Sequence, residues 1–213
     1  MIYIINIILG GIFVYCDIYH IDSNLIKWLI SFNCFIYLVI KKVSPPAILA
    51  SALAFIADYF LLFTNHYLIG ISLFIMVQLT YMYLIKYANY FPFVFLGLIL
   101  INPLVSLALI YLGFSLLNLY HSFKIYKKLF IAVFLLLCCD IIIALVYLKL
   151  IDSVFAIMIW IFYLPSQLFY IYSQTFFQKS FFWYLFLDLI VLYLSSTVLI
   201  VKWITRNPPE VKL

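Results

Sequence analysis

Three aspartates sit inside long apolar runs: Asp58 in AFIADYFLLF, Asp140 in FLLLCCDIIIAL and Asp188 in FFWYLFLDLIVLYL. A carboxylate at the centre of a membrane-inserted helix costs about 2.5–3.5 kcal/mol. The cost falls when the group is protonated, is paired, or faces a water-filled cavity. Intramembrane carboxyls are functional-site candidates by default; the competing role is a protonated carboxyl that glues two helices through a hydrogen bond. Two such groups brought close together can divide acid and base work, because one keeps its proton while the other ionises. Amides and phenols recur at helical spacing: Gln78 with Tyr81, and Tyr163 with Gln167. Spacings of three and four place each pair on one helix face.

The elements that must carry these residues follow from composition. The 213 residues are 69% hydrophobic and only 9% charged. A soluble domain averages about 45–50% apolar and cannot hide more, because surface shrinks too slowly with size. The expected solvent is a bilayer. The apolar runs are continuous rather than alternating, which argues against a strand barrel. Spans are predicted over 2–18, 24–41, 45–64 and 67–87. A short helix then precedes Asn102 and Pro103, and a further one runs from there to near His121. The last are 128–148, 153–174 and an apolar stretch at 181–203. The expected fold is all-α: a polytopic membrane helix bundle of eight or nine transmembrane helices. It forms a single domain over 1–203 with no soluble domain, and 204–213 is a short mobile tail. The N-terminal run has no basic n-region and no small-residue cleavage site, so it reads as a retained helix rather than a signal peptide.

Charge tests the arrangement. Lys41, Lys42, Lys86, Lys124, Lys127 and Lys128 fall in alternate loops, while DIYHIDSN, TNH and the Asn102–Pro103 break fall in the others. That alternation predicts a cytoplasmic N-terminus. It fails at the end, where nine spans would place Lys202 and Arg206 outside. Asp58 lies about six and Asp140 about eight residues below the outer ends of their helices, so both carboxyls sit roughly 9–12 Å deep. Gln78, Tyr81, Tyr163 and Gln167 fall in an overlapping, slightly deeper layer. Asp58 and Asp140 are expected to face each other across the interior, with Tyr163 or Gln167 nearby.

These residues resemble a known pattern. ADYFLLF followed by GISLFIMVQLTYMYL is similar to the YhhN-like lysoplasmalogenase family, with its Gly-Asp-x-x-Leu and Gly-x-x-x-Phe-x-x-x-His-x-x-Tyr segments. Asp58, Gly70, Phe74 and Tyr81 fall in register. FIAVFLLLCCDIIIAL resembles the family's later Ser-Asp segment and aligns Asp140. YLPSQLFYI resembles its last Tyr-x-x-x-Gln segment with Tyr163 and Gln167, and NLIKWLI its early lysine segment with Lys27. The resemblance covers about 24–175. It departs at Ala57 (family Gly), Cys139 (family Ser) and Gln78 (family His), which marks a divergent member. The resemblance implies hydrolysis of the vinyl-ether bond of a lysoplasmalogen. A proton delivered to carbon creates an oxocarbenium ion that water attacks, so one carboxyl must hold a proton and the other must be ionised. Asp58 and Asp140 are the implied catalytic pair. Gln78, Tyr81, Tyr163, Gln167 and Lys27 are the implied substrate-binding set.

Other classes remain open at this level. A catalytically inactive family member could serve as a membrane subunit or scaffold of an envelope complex; the missing histidine favours this and the two aspartates oppose it. LPSQ at 164–167 weakly resembles the Pro-Gln element of small transporters. Cys16, Cys34, Cys138 and Cys139 lie in or beside apolar runs without histidine spacing and read as inert thiols. No metal or other cofactor is expected. His66 and His121 sit at span ends and His20 in a loop. The net charge of +5 is spread over short loops, so membrane lipids and not nucleic acid are the expected partners. The richness in Ile, Phe, Tyr, Lys and Asn suggests an AT-rich bacterial genome, hence a bacterial cytoplasmic membrane.

Overall fold

The computed structural model describes residues 2–19, 21–151 and 157–175. His20, Asp188, the apolar stretch at 181–203 and the tail at 204–213 lie outside the described residues. Among those described every element is helical. They are α1 (Ile2–Ile18), α2 (Asn24–Ile40), α3 (Pro45–Phe63), α4 (Tyr67–Ile85), a 3-10 helix (Phe91–Leu98), α5 (Pro103–Ile125), α6 (Lys127–Tyr147) and α7 (Ile157–Thr175). Four of these, α3 to α6, are long and apolar enough to cross a membrane.

Helix boundaries follow local chemistry. Pro45 and Pro46 open α3, where a missing N–H costs nothing. Asn102 caps α5 by accepting a hydrogen bond from the Val105 N–H at 3.1 Å, and Pro103 takes the first helical position. At the other ends, Lys42, Lys86 and Lys149 take up the left-handed conformation just after α2, α4 and α6. Glycine is the usual residue at such a cap.

Helix directions can be read from cross-helix pairs. Asp17 meets Lys27 and Asn6 meets Cys34, so α1 and α2 are antiparallel. Ser31 meets Asp58 and Phe35 meets Phe55, so α2 and α3 are too. The pair α4 and α5 is different. Phe74 packs on Tyr111, Gln78 bonds Ser115, and Tyr87 stacks on His121, the same order along both helices. They run parallel, and the segment between them must travel back the length of α5. It does so in part as a 3-10 helix, where a short helix was expected. At about 2.0 Å per residue, against about 1.5 Å for an α-helix, the 3-10 form covers more distance with fewer residues.

That return segment is held close. A Cβ added at Gly113 would lie 2.9 Å from Pro92 Cβ and 3.0 Å from Pro92 Cγ. The proline ring cannot rotate away. Gly113→Ala should therefore push the 3-10 helix off α5 and lower stability by about 1–3 kcal/mol, the range for overpacked contacts. Thermal unfolding of the detergent-purified variant checks this; an unchanged midpoint would mean the segment moves freely.

The seventh helix fills the middle. It packs against α6, α2 and α1. It also reaches α3, where the Tyr163 hydroxyl donates to Asp58 and the Tyr170 hydroxyl to the Ala47 carbonyl. Every residue from Tyr163 to Ser173 is buried. Alanines make this possible: Ala47, Ala50, Ala54 and Ala57 form a small-residue face on α3. The distribution of polarity is inverted relative to a water-soluble bundle. Gln78 and Asn118 are 0% exposed, whereas Leu100 is 94% exposed and apolar side chains cover the outer faces.

Candidate functional site

The interior polar residues form two clusters. In the first, Asp58 of α3 is 4% exposed and accepts hydrogen bonds from Ser31 of α2 and from the Tyr163 hydroxyl of α7, the latter at 2.6 Å. Ser31 and Tyr163 are themselves 3.5 Å apart. Three helices thus converge on one carboxyl. The reason lies in helix periodicity. Lys27, Ser31 and Cys34 recur on the buried face of α2, and Asp58 continues the alanine face of α3.

The second cluster joins α4, α5 and α6. Asp140 accepts a hydrogen bond from the Tyr111 hydroxyl at 2.8 Å. Tyr111 also interacts with the Gln78 amide and the Ser115 hydroxyl. Gln78 Nε2 donates to Ser115 at 2.8 Å. Asn118 Nδ2 donates to Gln78 Oε1 at 2.6 Å and to the Gln78 carbonyl at 2.9 Å, and Asn118 Oδ1 accepts from the Tyr87 hydroxyl at 2.7 Å. Gln78 therefore belongs with Asp140 and is fully engaged with α5. The buried thiol of Cys139 lies within electrostatic range of both Asp58 and Asp140. Among the described residues the two carboxyls share no hydrogen-bond partner.

Lys27 sits nearer the end of the bundle. Its ammonium contacts the Asp17 carboxylate at 2.8 Å, and Ser23 also donates to Asp17. The same ammonium lies 5.8 Å from the Phe13 ring centroid and 5.5 Å from that of Trp160. Trp160 in turn packs edge-on against Tyr163, 5.1 Å between centroids. An aromatic link thus runs from the ion pair to the Asp58 cluster. Tyr81 packs its ring on Tyr170 at 5.2 Å and lies within electrostatic range of Asp140.

Sequence reasoning missed Ser31, Tyr111, Ser115, Asn118, Asp17 and Trp160. Some signal was present. Tyr111, Ser115, Asn118 and Ser122 follow a spacing of four, three and four, so one face of α5 is polar within an apolar run. The same holds for Lys27 and Ser31 on α2. Serines and asparagines in apolar helices are easily set aside beside aspartates, although they satisfy the carboxyls.

An open groove of about 290 Å³ lies elsewhere, on α4, lined by Leu68, Ile69, Ser72, Leu73 and Met76. It contacts neither carboxyl, and its apolar lining gives it no chemistry of its own.

The fold and the interior together define a class: an all-α bundle with four span-length apolar helices, an apolar exterior and two polar clusters, one around the buried Asp58 and one around the half-buried Asp140. No protein family, curated protein or solved structure matches this chain.

Proposed function

We propose that the chain is an integral membrane protein that hydrolyses the vinyl-ether bond of lysoplasmalogen-type lipids. The membrane assignment rests on the inverted polarity. In a bilayer, lipid-facing positions must be apolar and polar side chains must satisfy one another inside. Lys41, Lys42, Lys86, Lys124, Lys127 and Lys128 lie at one end of the bundle, and Asp17 and Asp22, with two lysines, Lys27 and Lys149, at the other. The positive-inside rule makes the lysine end cytoplasmic, as it would be in a bacterial inner membrane.

The observation that carries the hydrolase reading is the pairing of each interior carboxyl with a tyrosine hydroxyl, Asp58 with Tyr163 and Asp140 with Tyr111. A carboxyl held by a phenol in an apolar interior is oriented and can hold or give up a proton. The reaction needs one group of each kind: an acid to protonate the vinyl carbon, and a carboxylate to stabilise the oxocarbenium ion or activate water. Lys27, the ammonium at the end of the aromatic link, suits the phosphate of the headgroup once it exchanges Asp17 for it. Gln167 and Tyr81 suit the water and the glycerol oxygens.

One observation favours the second reading, an inactive member acting as a membrane subunit. Gln78, at the position of the family's histidine, is consumed by hydrogen bonds to Ser115 and Asn118, a structural tie rather than a reactive group. Aldehyde release from a lysoplasmalogen in mixed micelles, followed with the purified full chain, separates the two. Release supports the hydrolase; its absence at every lipid headgroup tried, with the chain folded, supports the subunit.

A further inference from the structure

Buried polar side chains in native structures are partnered by protein or by ordered water in at least about 90% of cases. Gln167 and Tyr81 are each 3% exposed, and Ser51 is equally buried, yet none of the three makes a hydrogen bond among the described residues. Fully occluded, unpartnered polar atoms do occur in the bundle, Trp28 Nε1 for one, but none belongs to these three residues. Each therefore keeps some contact with space open to a water-sized neighbour.

Register brings them to one place. Two cross-helix bonds tie α7 to α3: Tyr163 to Asp58, and Tyr170 to the Ala47 carbonyl. Gln167 lies between Tyr163 and Tyr170, four residues from one and three from the other. Ser51 lies between Asp58 and Ala47, seven residues from one and four from the other. At about 3.6 residues per turn all these positions share the facing sides of the two helices. Tyr81 closes the group from α4, with its ring on Tyr170 and Asp140 within electrostatic range.

We propose that a gap between these facing sides holds ordered water bound by Ser51, Gln167 and Tyr81, and that the water joins the Asp58 and Asp140 clusters. A buried water typically makes about three hydrogen bonds, and a hydroxyl, an amide and a phenol supply them. The gap lies one to two helical turns below Asp58, on the side away from Lys27. On the hydrolase reading this is the store of the water that the reaction consumes. The water site itself does not depend on that reading.

The test uses the full chain in lipid nanodiscs with Ser51→Ala, Gln167→Met and the double variant, each followed by thermal unfolding. Met keeps the length of Gln without its polar atoms. If the two side chains share water, each single change lowers the unfolding midpoint by about 2–4 °C or more, and the double variant is no worse than the poorer single one. If the gap is dry, each change removes an unsatisfied polar group, so the midpoints rise and the effects add; that result overturns the proposal, as does additive destabilisation. Should Gln167→Met fail to fold, a high-resolution density map of the unmodified protein decides. A peak within hydrogen-bond distance of the Gln167 amide supports the site and an empty gap overturns it. Neither readout involves aldehyde release, so failure here is distinct from failure of the hydrolase.

Discussion

On the proposed hydrolase reading, Asp58→Asn and Asp140→Asn should each reduce aldehyde release from a lysoplasmalogen by roughly 10²–10⁴-fold, the usual contribution of a positioned acid or base. Asparagine keeps the size of aspartate and can still accept from Tyr163 or Tyr111 through its amide oxygen, so the helix contacts survive. What it cannot do is exchange a proton. The two carboxyls sit in different surroundings, which gives the variants different secondary effects. Asp58 is held by two hydroxyls from two other helices, whereas Asp140 has the single phenol of Tyr111. Asp58→Asn should therefore disturb the unfolding midpoint more than Asp140→Asn. If the chain is an inactive relative, the unmodified protein releases no aldehyde, and asparagine at either position is tolerated or stabilising, because a costly buried acid has gone. Release at the normal rate by both variants would remove the aspartates from the mechanism and leave them as interhelical ties.

The largest stability effect is expected at Asn118. Replacing it with leucine removes three hydrogen bonds at once. It leaves Gln78 Oε1 and the Tyr87 hydroxyl without their Asn118 partner, and it takes away the second bond to the Gln78 carbonyl, which keeps its helical one. Gln78 and Asn118 are 0% exposed, so water cannot replace what is lost at the Gln78 amide. An unsatisfied buried polar group costs about 1–3 kcal/mol, while interhelical hydrogen bonds within bilayers average nearer 0.6 kcal/mol because the separated helices also find partners. Taking these together, Asn118→Leu should destabilise by about 2–4 kcal/mol, separating the parallel helices α4 and α5. Gln78→His makes the contrast. An imidazole can donate from one ring nitrogen to Ser115 and accept from Asn118 at the other, so this variant should fold with a far smaller penalty. Comparing the unfolding midpoints of both variants in one detergent checks the pair. A milder effect for Asn118→Leu than for Gln78→His would show that the network does not hold the helices together. Aldehyde release gained by Gln78→His in an otherwise silent protein would identify the relic.

The amino-acid sequence by itself determined the class of structure. Continuous apolar runs leave no other regular element than helix, and breakers placed most of the ends: Pro45 and Pro46 at the start of α3, Asn102 and Pro103 at the start of α5. It also marked Asp58 and Asp140, because a carboxyl in an apolar run stands out whatever surrounds it. The period of 3.6 assigned Tyr163 and Gln167 to one face, and Gln78 and Tyr81 to another. Periodicity says which side chains share a face but not which neighbour that face meets. Only the tertiary structure decided that Gln78 joins the Asp140 cluster through α5, that Ser31 and Tyr163 hold Asp58, and that Lys27 is paired with Asp17. Those outcomes depend on helix order and rotation about the helix axis. Here both are governed by close approach: the alanine face of α3 admits the tyrosines of α7, and Gly113 admits Pro92 of the return segment. The form of that segment also lay beyond the sequence. Phe91 to Leu98 is as apolar as any α-helix nearby, and it is stretched into a 3-10 helix because two parallel helices require their connection to run back along nearly the full length of α5.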